Sequence, residues 1–234
     1  MILLIGAAGK TGSLAARNLA AHGHRLRALV RDPQAAAARP GPGLDCIYGD
    51  LRDPASLRPA LGGVDMACLA TAPSDLMAEQ ETTFIAAAHP RRPPAAGQAL
   101  SVRHRSRSSI CRRHPQIESA LTHSGVPATC PRPEAFMTSL LDAAETVRAA
   151  QLHSTAEDRR ITWTDTADVA DVATTALLDP AHASRILQLT GPEALTCDQL
   201  AAAFARVPGH PVEHARIGGE TIRGPRKALA CPAG

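Results

Sequence analysis

Aromatic residues are nearly absent from this 234-residue chain: Phe, Trp and Tyr together make up 2%. A core must then be built from Ala, Leu, Val and Ile, and no row of aromatic platforms for stacking nucleobases can form. No apolar run is long enough to span a bilayer, and Ile2–Ile5 is too short for the apolar region of a secretory signal. The six cysteines, at 46, 68, 111, 130, 197 and 231, include no C-x-x-C pair. They read as reduced, mostly buried thiols of a cytoplasmic protein, and no Cys/His spacing suits zinc, so no metal is expected. Acid is missing from one stretch: no Asp or Glu occurs between Glu81 and Glu118. The segment from Thr82 to Ile117 carries seven Arg, and the rest of the chain holds 18 basic against 22 acidic residues. The formal net charge of +3 therefore comes from one stretch, not from a basic face.

What the chain does have is concentrated at its start, "MILLIGAAGKTGSLAARNLAAHGHRLRALVRD". Ile2–Ile5 suits a parallel strand buried on both faces. Gly6, Gly9, Lys10, Thr11 and Gly12 follow, then apolar residues at helical spacing as far as Gly23, a helix C-cap, and a second strand over Leu26–Val30. Strand, glycine turn, helix and strand within about thirty residues make the βαβ unit that binds a dinucleotide. Gly6 permits the tight turn, Gly9 lets backbone N–H groups reach a pyrophosphate, and Gly12 lets the helix pack closely on the strand. The helix N-terminus then favours the anion. A glycine turn serving only as a tight connection would leave the triple spacing unexplained. His22 and His24 fall where this helix ends and read as a surface pair.

The end of the second strand discriminates between cofactors. NAD binders place an acid there for the ribose 2′-hydroxyl, whereas an Arg accommodates a 2′-phosphate. This chain has Arg31, with Asp32 placed to cap the next turn and Lys10 as a further cation in the loop. NADP(H) is thus favoured over NAD(H). "GLDCIYGDLRDPASLRPAL" reads as a third strand and a helix capped by Asp53, with Pro54 at its first position. "VDMACLATAPSDL" reads as a fourth strand and a polar loop. Ligands of doubly wound sheets bind beyond the carboxyl ends of strands, so Asp50, Leu51, Ala70, Thr71 and Ala72 are expected to flank adenine and the ribose-phosphates. Ordinary turn chemistry competes for Asp50 and Thr71.

These pieces, with "QIESALTHSGVPATCPRPEAFM", "DTADVADVATTALLDP" and "LTGPEALTCDQLAAAF", resemble the NmrA-like group of atypical short-chain dehydrogenases over most of the chain. The resemblance implies an α/β, doubly wound parallel sheet (Rossmann fold) with a small C-terminal substrate region. On that expectation residues 1–130 form the NAD(P)-binding domain and 131–234 the substrate region, packed as one globular unit. The resemblance also implies NADP(H) binding, with hydride transfer to a quinone-like or other small acceptor; the alternatives are a non-catalytic NADP(H) sensor with a protein partner, or an inactive product. It places Pro133, Glu134, Phe136 and Met137 along the substrate pocket, although plain core packing accounts equally well for Phe136 and Met137. Asp165 is expected to cap a helix whose first turns carry Asp168 and Asp171. One departure is decisive. Many members of the wider superfamily use Tyr-x-x-x-Lys to move a proton, but this chain has one Tyr, Tyr48, and two Lys, Lys10 and Lys227, so no such pair exists.

The resemblance fails over 88–109, "AHPRRPPAAGQALSVRHRSRSS". A fifth, central strand is needed there, yet Arg91-Arg92-Pro93-Pro94 cannot supply it, and only Ala99–Val102 is weakly strand-like. The similar family has a motif like Val-Lys-Leu-Ser at this point. Codons for Gly97-Gln98-Ala99-Leu100-Ser101, shifted by one nucleotide, allow that motif, so the segment reads as out of frame. A disordered lid and a nucleic-acid contact are the competing explanations, the last disfavoured by the missing aromatics. The tail "RGPRKALACPAG" invites the same reading, as it lacks a helical ending. The expected partner is a small-molecule substrate, with no membrane and no nucleic acid.

Overall fold

The computed structural model describes residues 1–37, 43–72, 74–88, 99–101, 114–154, 158–207 and 209–217. The first half alternates strand and helix: β1 (Ile2–Ile5), α1 (Lys10–Ala21), β2 (Leu26–Val30), α2 (Pro33–Ala37), β3 (Asp45–Tyr48), α3 (Pro54–Ala60), β4 (Met66–Leu69), α4 (Met77–Ala88), β5 (Ala99–Ser101), α5 (His114–Ser124) and β6 (Ala128–Pro133). The second half continues through β7 (Ala135–Phe136), a 3₁₀ segment (Met137–Ala143), α6 (Ala144–Arg148), β8 (Gln151–Ser154), β9 (Ile161–Thr164) and α7 (Thr166–Leu178). A short 3₁₀ turn at Pro180–His182, β10 (Ile186–Leu189), β11 (Ala194–Leu195), α8 (Cys197–Ala205) and β12 (Glu213–Arg216) complete it.

Seven strands form one sheet in the order β10-β6-β5-β4-β1-β2-β3. β1 pairs in parallel with β2 on one side and with β4 on the other, and β4, β5 and β6 continue in parallel. The chain reverses direction across the sheet between β1 and β4, the point at which doubly wound sheets open a ligand crevice. All four residues of β1 are buried. Their alternation sends Ile2 and Leu4 to one face, with Ala16 and Leu19 of α1 and Ala173, Ala176 and Leu177 of α7. Leu3 and Ile5 go to the other, with Leu29, Leu57 of α3 and Phe84 of α4. The small Ala faces compensate for the missing aromatics by bringing helix backbones close. Asn18 Nδ2 on α1 donates to Asp171 Oδ1 on α7 at 2.6 Å.

Contacts divide the chain into two compact units: 1–103 with 109–132 and 166–188, and 104–108 with 133–165 and 189–234. The first unit is discontinuous. Residues 166–188 fold with it, not with the C-terminal region expected over 131–234, because α7 supplies the apolar stripe that covers α1 and β1. Beneath the second unit lies its own core of Ala135, Leu152, Ile161, Trp163, Cys197 and Leu200. It carries two small sheets, β11-β9-β7 and β12-β8.

The fifth strand is present but only three residues long, pairing Ala99–Ser101 with Ala67–Leu69 and Ala99–Leu100 with Ala128–Thr129. It falls inside the weakly strand-like stretch. The remainder of 88–109 beyond Ala88, and the tail, lie outside the described residues.

Candidate functional site

The glycine loop takes the form its residues require. Gly6 has φ of +80°, and a Cβ there would lie 2.2 Å from the Ala70 carbonyl oxygen. A Cβ at Gly12 would lie 2.2 Å from the Gly6 carbonyl oxygen. Neither position can hold a side chain without moving backbone. Gly9 differs. It is exposed, its φ of −78° suits any residue, and a Cβ would approach only the Gly6 carbonyl oxygen, at 3.2 Å. That contact asks the Gly6 carbonyl to give by a few tenths of an ångström, a far smaller demand than the clashes at Gly6 and Gly12. Gly9 is also the N-cap of α1: no side chain caps the helix and its first turn holds no acid. A twelve-residue helix that provides no anion of its own at its start suits an anionic guest. Lys10 is exposed and Thr11 half-buried beside it.

β4 ends against this loop. The Ala70 amide donates to the Ile5 carbonyl at 3.0 Å, so Ala70 lies beside Gly6, as the sheet order predicts. Thr71 is half-buried and Ala72 exposed. The Thr71 hydroxyl donates to Oε1 of Glu81, a carboxylate on α4 that is 2% exposed. Sequence reasoning missed Glu81. A signal was available, since Met77, Ala78, Glu81, Phe84 and Ile85 recur at the spacing of one buried helical stripe, and Glu81 is its lone charge.

At the other side of β1, Arg31 is exposed at the end of β2. Asp32 Oδ1 accepts from the Ala35 amide at 3.0 Å, so Asp32 caps the turn as expected. The Gly49 amide donates to the Val30 carbonyl at 3.0 Å, which brings the end of β3 alongside. Asp50 makes turn contacts: its amide donates to Ser56 Oγ at 2.9 Å, and its carboxylate accepts from the Arg52 amide at 2.9 Å and from Arg52 Nη2 at 2.7 Å. Those bonds from Arg52, with the positive fields of Arg52 and Arg31, hold the Asp50 carboxyl down at about 2. The group is thus a fixed negative charge at any ordinary pH, and its stabilising contacts are lost only as pH falls toward that value. The second cation by Arg31 and Asp50 is Arg52, which was not singled out from the sequence. Leu51 packs on the core beside Leu29 and Leu57. In β4 itself, burial pushes the Cys68 thiol up to about 12, so it stays protonated and unreactive.

The residues expected to line a substrate pocket all belong to the second unit, and Pro133, the first of them, ends β6 and is buried. Glu134 is committed locally: its Oε2 accepts from the Thr162 amide at 3.2 Å and from the Thr162 hydroxyl. This bonding joins the start of β7 to β9 and leaves Glu134 a structural partner. Phe136 is half-buried and Met137 exposed.

A constellation absent from the sequence reading also lies in this unit. Asp198 Oδ1 sits 2.8 Å from His214 Nδ1, and His214 Nε2 sits 3.2 Å from Ser154 Oγ. Carboxylate, imidazole and hydroxyl stand in the order used for acyl transfer. Ser154 is, however, 0% exposed, with its oxygen 3.1 Å from the buried Cys197 sulfur. No acyl donor can reach it, and the trio serves to tie β8, β12 and α8 together. Among the described residues no group of three His, Cys, Asp or Glu is placed to hold a metal ion. No helix among them is long and apolar enough to cross a membrane.

Comparison with known proteins bears on the nucleotide side of this geometry. Residues 6–180 match the family described as NAD(P)H-binding. The chain is 34% identical over 225 residues to (4-alkanoyl-5-oxo-2,5-dihydrofuran-3-yl)methyl phosphate reductase of Streptomyces griseus, covering 95% of this chain and 79% of that protein. It is 30% identical over 220 residues to NAD(P)H azoreductase of Xenophilus azovorans, covering 93% and 77%. Among solved structures, NADPH-dependent quinone oxidoreductase of Escherichia coli, in complex with NADPH, superposes with a TM-score of 0.82 at 25% identity, covering 93% of this chain and 79% of that one.

Proposed function

The chain belongs to the NAD(P)H-binding family as an NmrA-like oxidoreductase, and from that premise we propose that it uses NADPH to reduce a conjugated, quinone-like small molecule. The observation that carries the acceptor class is the lack of any Tyr-x-x-x-Lys pair. Reducing an isolated ketone leaves an alkoxide that needs an acid at hand. A quinone or another conjugated acceptor spreads the new negative charge over electronegative atoms, so solvent can protonate it. Tyr48, 53% exposed at the end of β3, needs no part in this. The relatives' names agree in kind, being reductases of an azo compound, a quinone and a dihydrofuranone phosphate.

Gly6, Gly9, Lys10, Thr11 and Gly12 would hold the pyrophosphate at the start of α1. Asp50, Leu51, Ala70, Thr71 and Ala72 would flank adenine and the ribose-phosphates. Arg31 would pair with the 2′-phosphate. Pro133, Phe136 and Met137 would offer apolar surface to the acceptor, with Glu134 holding their strand in place. When bound, the nicotinamide would supply the hydride, and the protein would supply its orientation against the acceptor.

The test has two parts. Turnover of NADPH is measured against a panel of quinones, and binding of NADPH and NADH by fluorescence in the parent and in Arg31→Ala. NADPH should bind about ten- to hundred-fold more tightly than NADH, as a charge-assisted contact warrants, and Arg31→Ala should remove that difference. Equal affinities in the parent would defeat the NADP(H) assignment. Binding without turnover on any quinone would leave a sensor and defeat the reductase.

A further inference from the structure

We propose that Glu81 is a positioning residue for the nucleotide, acting through Thr71. The proposal rests on the reading that Thr71 faces the cofactor, and it adds what makes that face selective. Glu81 is the largest of the fully buried polar side chains in the described residues, seated in the stripe formed by Met77, Ala78, Phe84 and Ile85. A carboxylate at such a place is costly unless it is hydrogen-bonded, and core packing alone would be better served by Leu or Met. Its Oε1 accepts a hydrogen bond from the Thr71 hydroxyl. Thr71 sits at the first turn beyond β4, one residue after Ala70, whose carbonyl closes against Gly6.

Two consequences follow from the direction of that bond. A threonine hydroxyl has one proton. With it directed at Glu81, the Thr71 oxygen presents only lone pairs to the other side, so it accepts from a donor, such as a ribose hydroxyl, and repels a bare acceptor. The bond also joins the loop 70–72 to the rigid helix α4, fixing the rotamer and the backbone it hangs from. Glu81 never touches the reacting atoms; it sets the polarity and position of an atom that touches the cofactor.

The experiment compares the full-length parent with Glu81→Ala, Glu81→Gln, Thr71→Val, Thr71→Ser and the double variant Glu81→Ala/Thr71→Val. NADPH affinity is read by fluorescence at a temperature well below each variant's melting point. Glu81→Ala and Thr71→Val should each weaken NADPH about ten-fold. The double variant should be no weaker than the weaker single, since both remove one bond. Thr71→Ser, and in part Glu81→Gln, should restore affinity, because each keeps donor and acceptor. A lowered melting temperature with unchanged NADPH affinity in Glu81→Ala would reduce Glu81 to a core residue and overturn the proposal, as would additive losses in the double variant. If Glu81→Ala does not fold, the Thr71→Val and Thr71→Ser pair decides: no loss in the first, or no recovery in the second, overturns it. A parent that binds no NADPH overturns this proposal together with the reading beneath it. A parent that binds, with variants that bind alike, overturns this one alone.

Discussion

Two constellations in this molecule invite a chemical reading, and they invert expectation. The trio Ser154, His214 and Asp198 has the residue types and distances of a nucleophilic relay, yet its hydroxyl is sealed in a core. The glycine loop holds almost no functional groups, yet its Gly9 lies open at the start of an uncapped helix. Hydrogen-bond geometry between side chains is what any satisfied buried network must show. Access is what separates a site from a staple.

The strongest way to break this contrast is to fill the loop. A Val at Gly9 would place its Cβ 3.2 Å from the Gly6 carbonyl oxygen, so Gly9→Val should largely keep the fold, with a small drop in melting temperature, while NADPH binding falls below detection. Full binding by that variant would make the loop merely structural. The same change at Gly6 or Gly12 would tell nothing, because the added Cβ would strike backbone 2.2 Å away. Next in size is Ser154→Ala. It leaves His214 Nε2 without this partner and should cost about 1–3 kcal/mol of stability, measured by denaturant unfolding, with NADPH affinity untouched. Labelling of Ser154 by a fluorophosphonate probe would show that the trio is reachable and dissolve the contrast.

The smallest effect sharpens it on the structural side. Ala150 follows α6 with φ of +64°, and its amide donates to the Val147 carbonyl at 3.0 Å, a left-handed helix ending that favours glycine. Ala150→Gly should raise stability by about 0.5–1 kcal/mol by relieving that conformation. A lower melting temperature would show that the Ala150 methyl is held by more than its backbone.

Legibility follows the range of the interaction. Gly6 and Gly12 could be assigned roles because a glycine's need is met by backbone a few residues away or at the neighbouring strand end. Asp32 and Asp53 could be named as caps because each accepts from an amide two or three residues on. The membership of α7 in the first unit could not be read, since its stripe has the same spacing whichever helix it covers. Nor could the trio, whose Ser154 and His214 are sixty residues apart in sequence. Arg52 escaped notice although it stands two residues from Asp50, because a charged residue in a turn is ordinarily solvated and nothing in the spacing says that its guanidinium folds back on that carboxylate. The odd stretch 88–109 is legible in composition alone: three residues of it form the strand that joins β4 to β6.

The discontinuity of the first unit sets a timetable for its birth on the ribosome. Ile2, Leu4, Ala16 and Leu19 are made first, but the side of α1 that turns to α7 waits for Ala173, Ala176 and Leu177. Between the end of β6 at Pro133 and the end of α7 at Leu178 the whole apolar lining of the second unit's first half must be made. At about 5–20 residues per second, the nascent sheet spends seconds with one flank half covered. A chain that stalls or is clipped anywhere in that interval emerges with every glycine and strand of the nucleotide loop in place and no lid on the helix that carries it. Quality control in the cell would therefore meet this protein as a sticky alanine face, long before the chain could be judged by whether it binds a nucleotide.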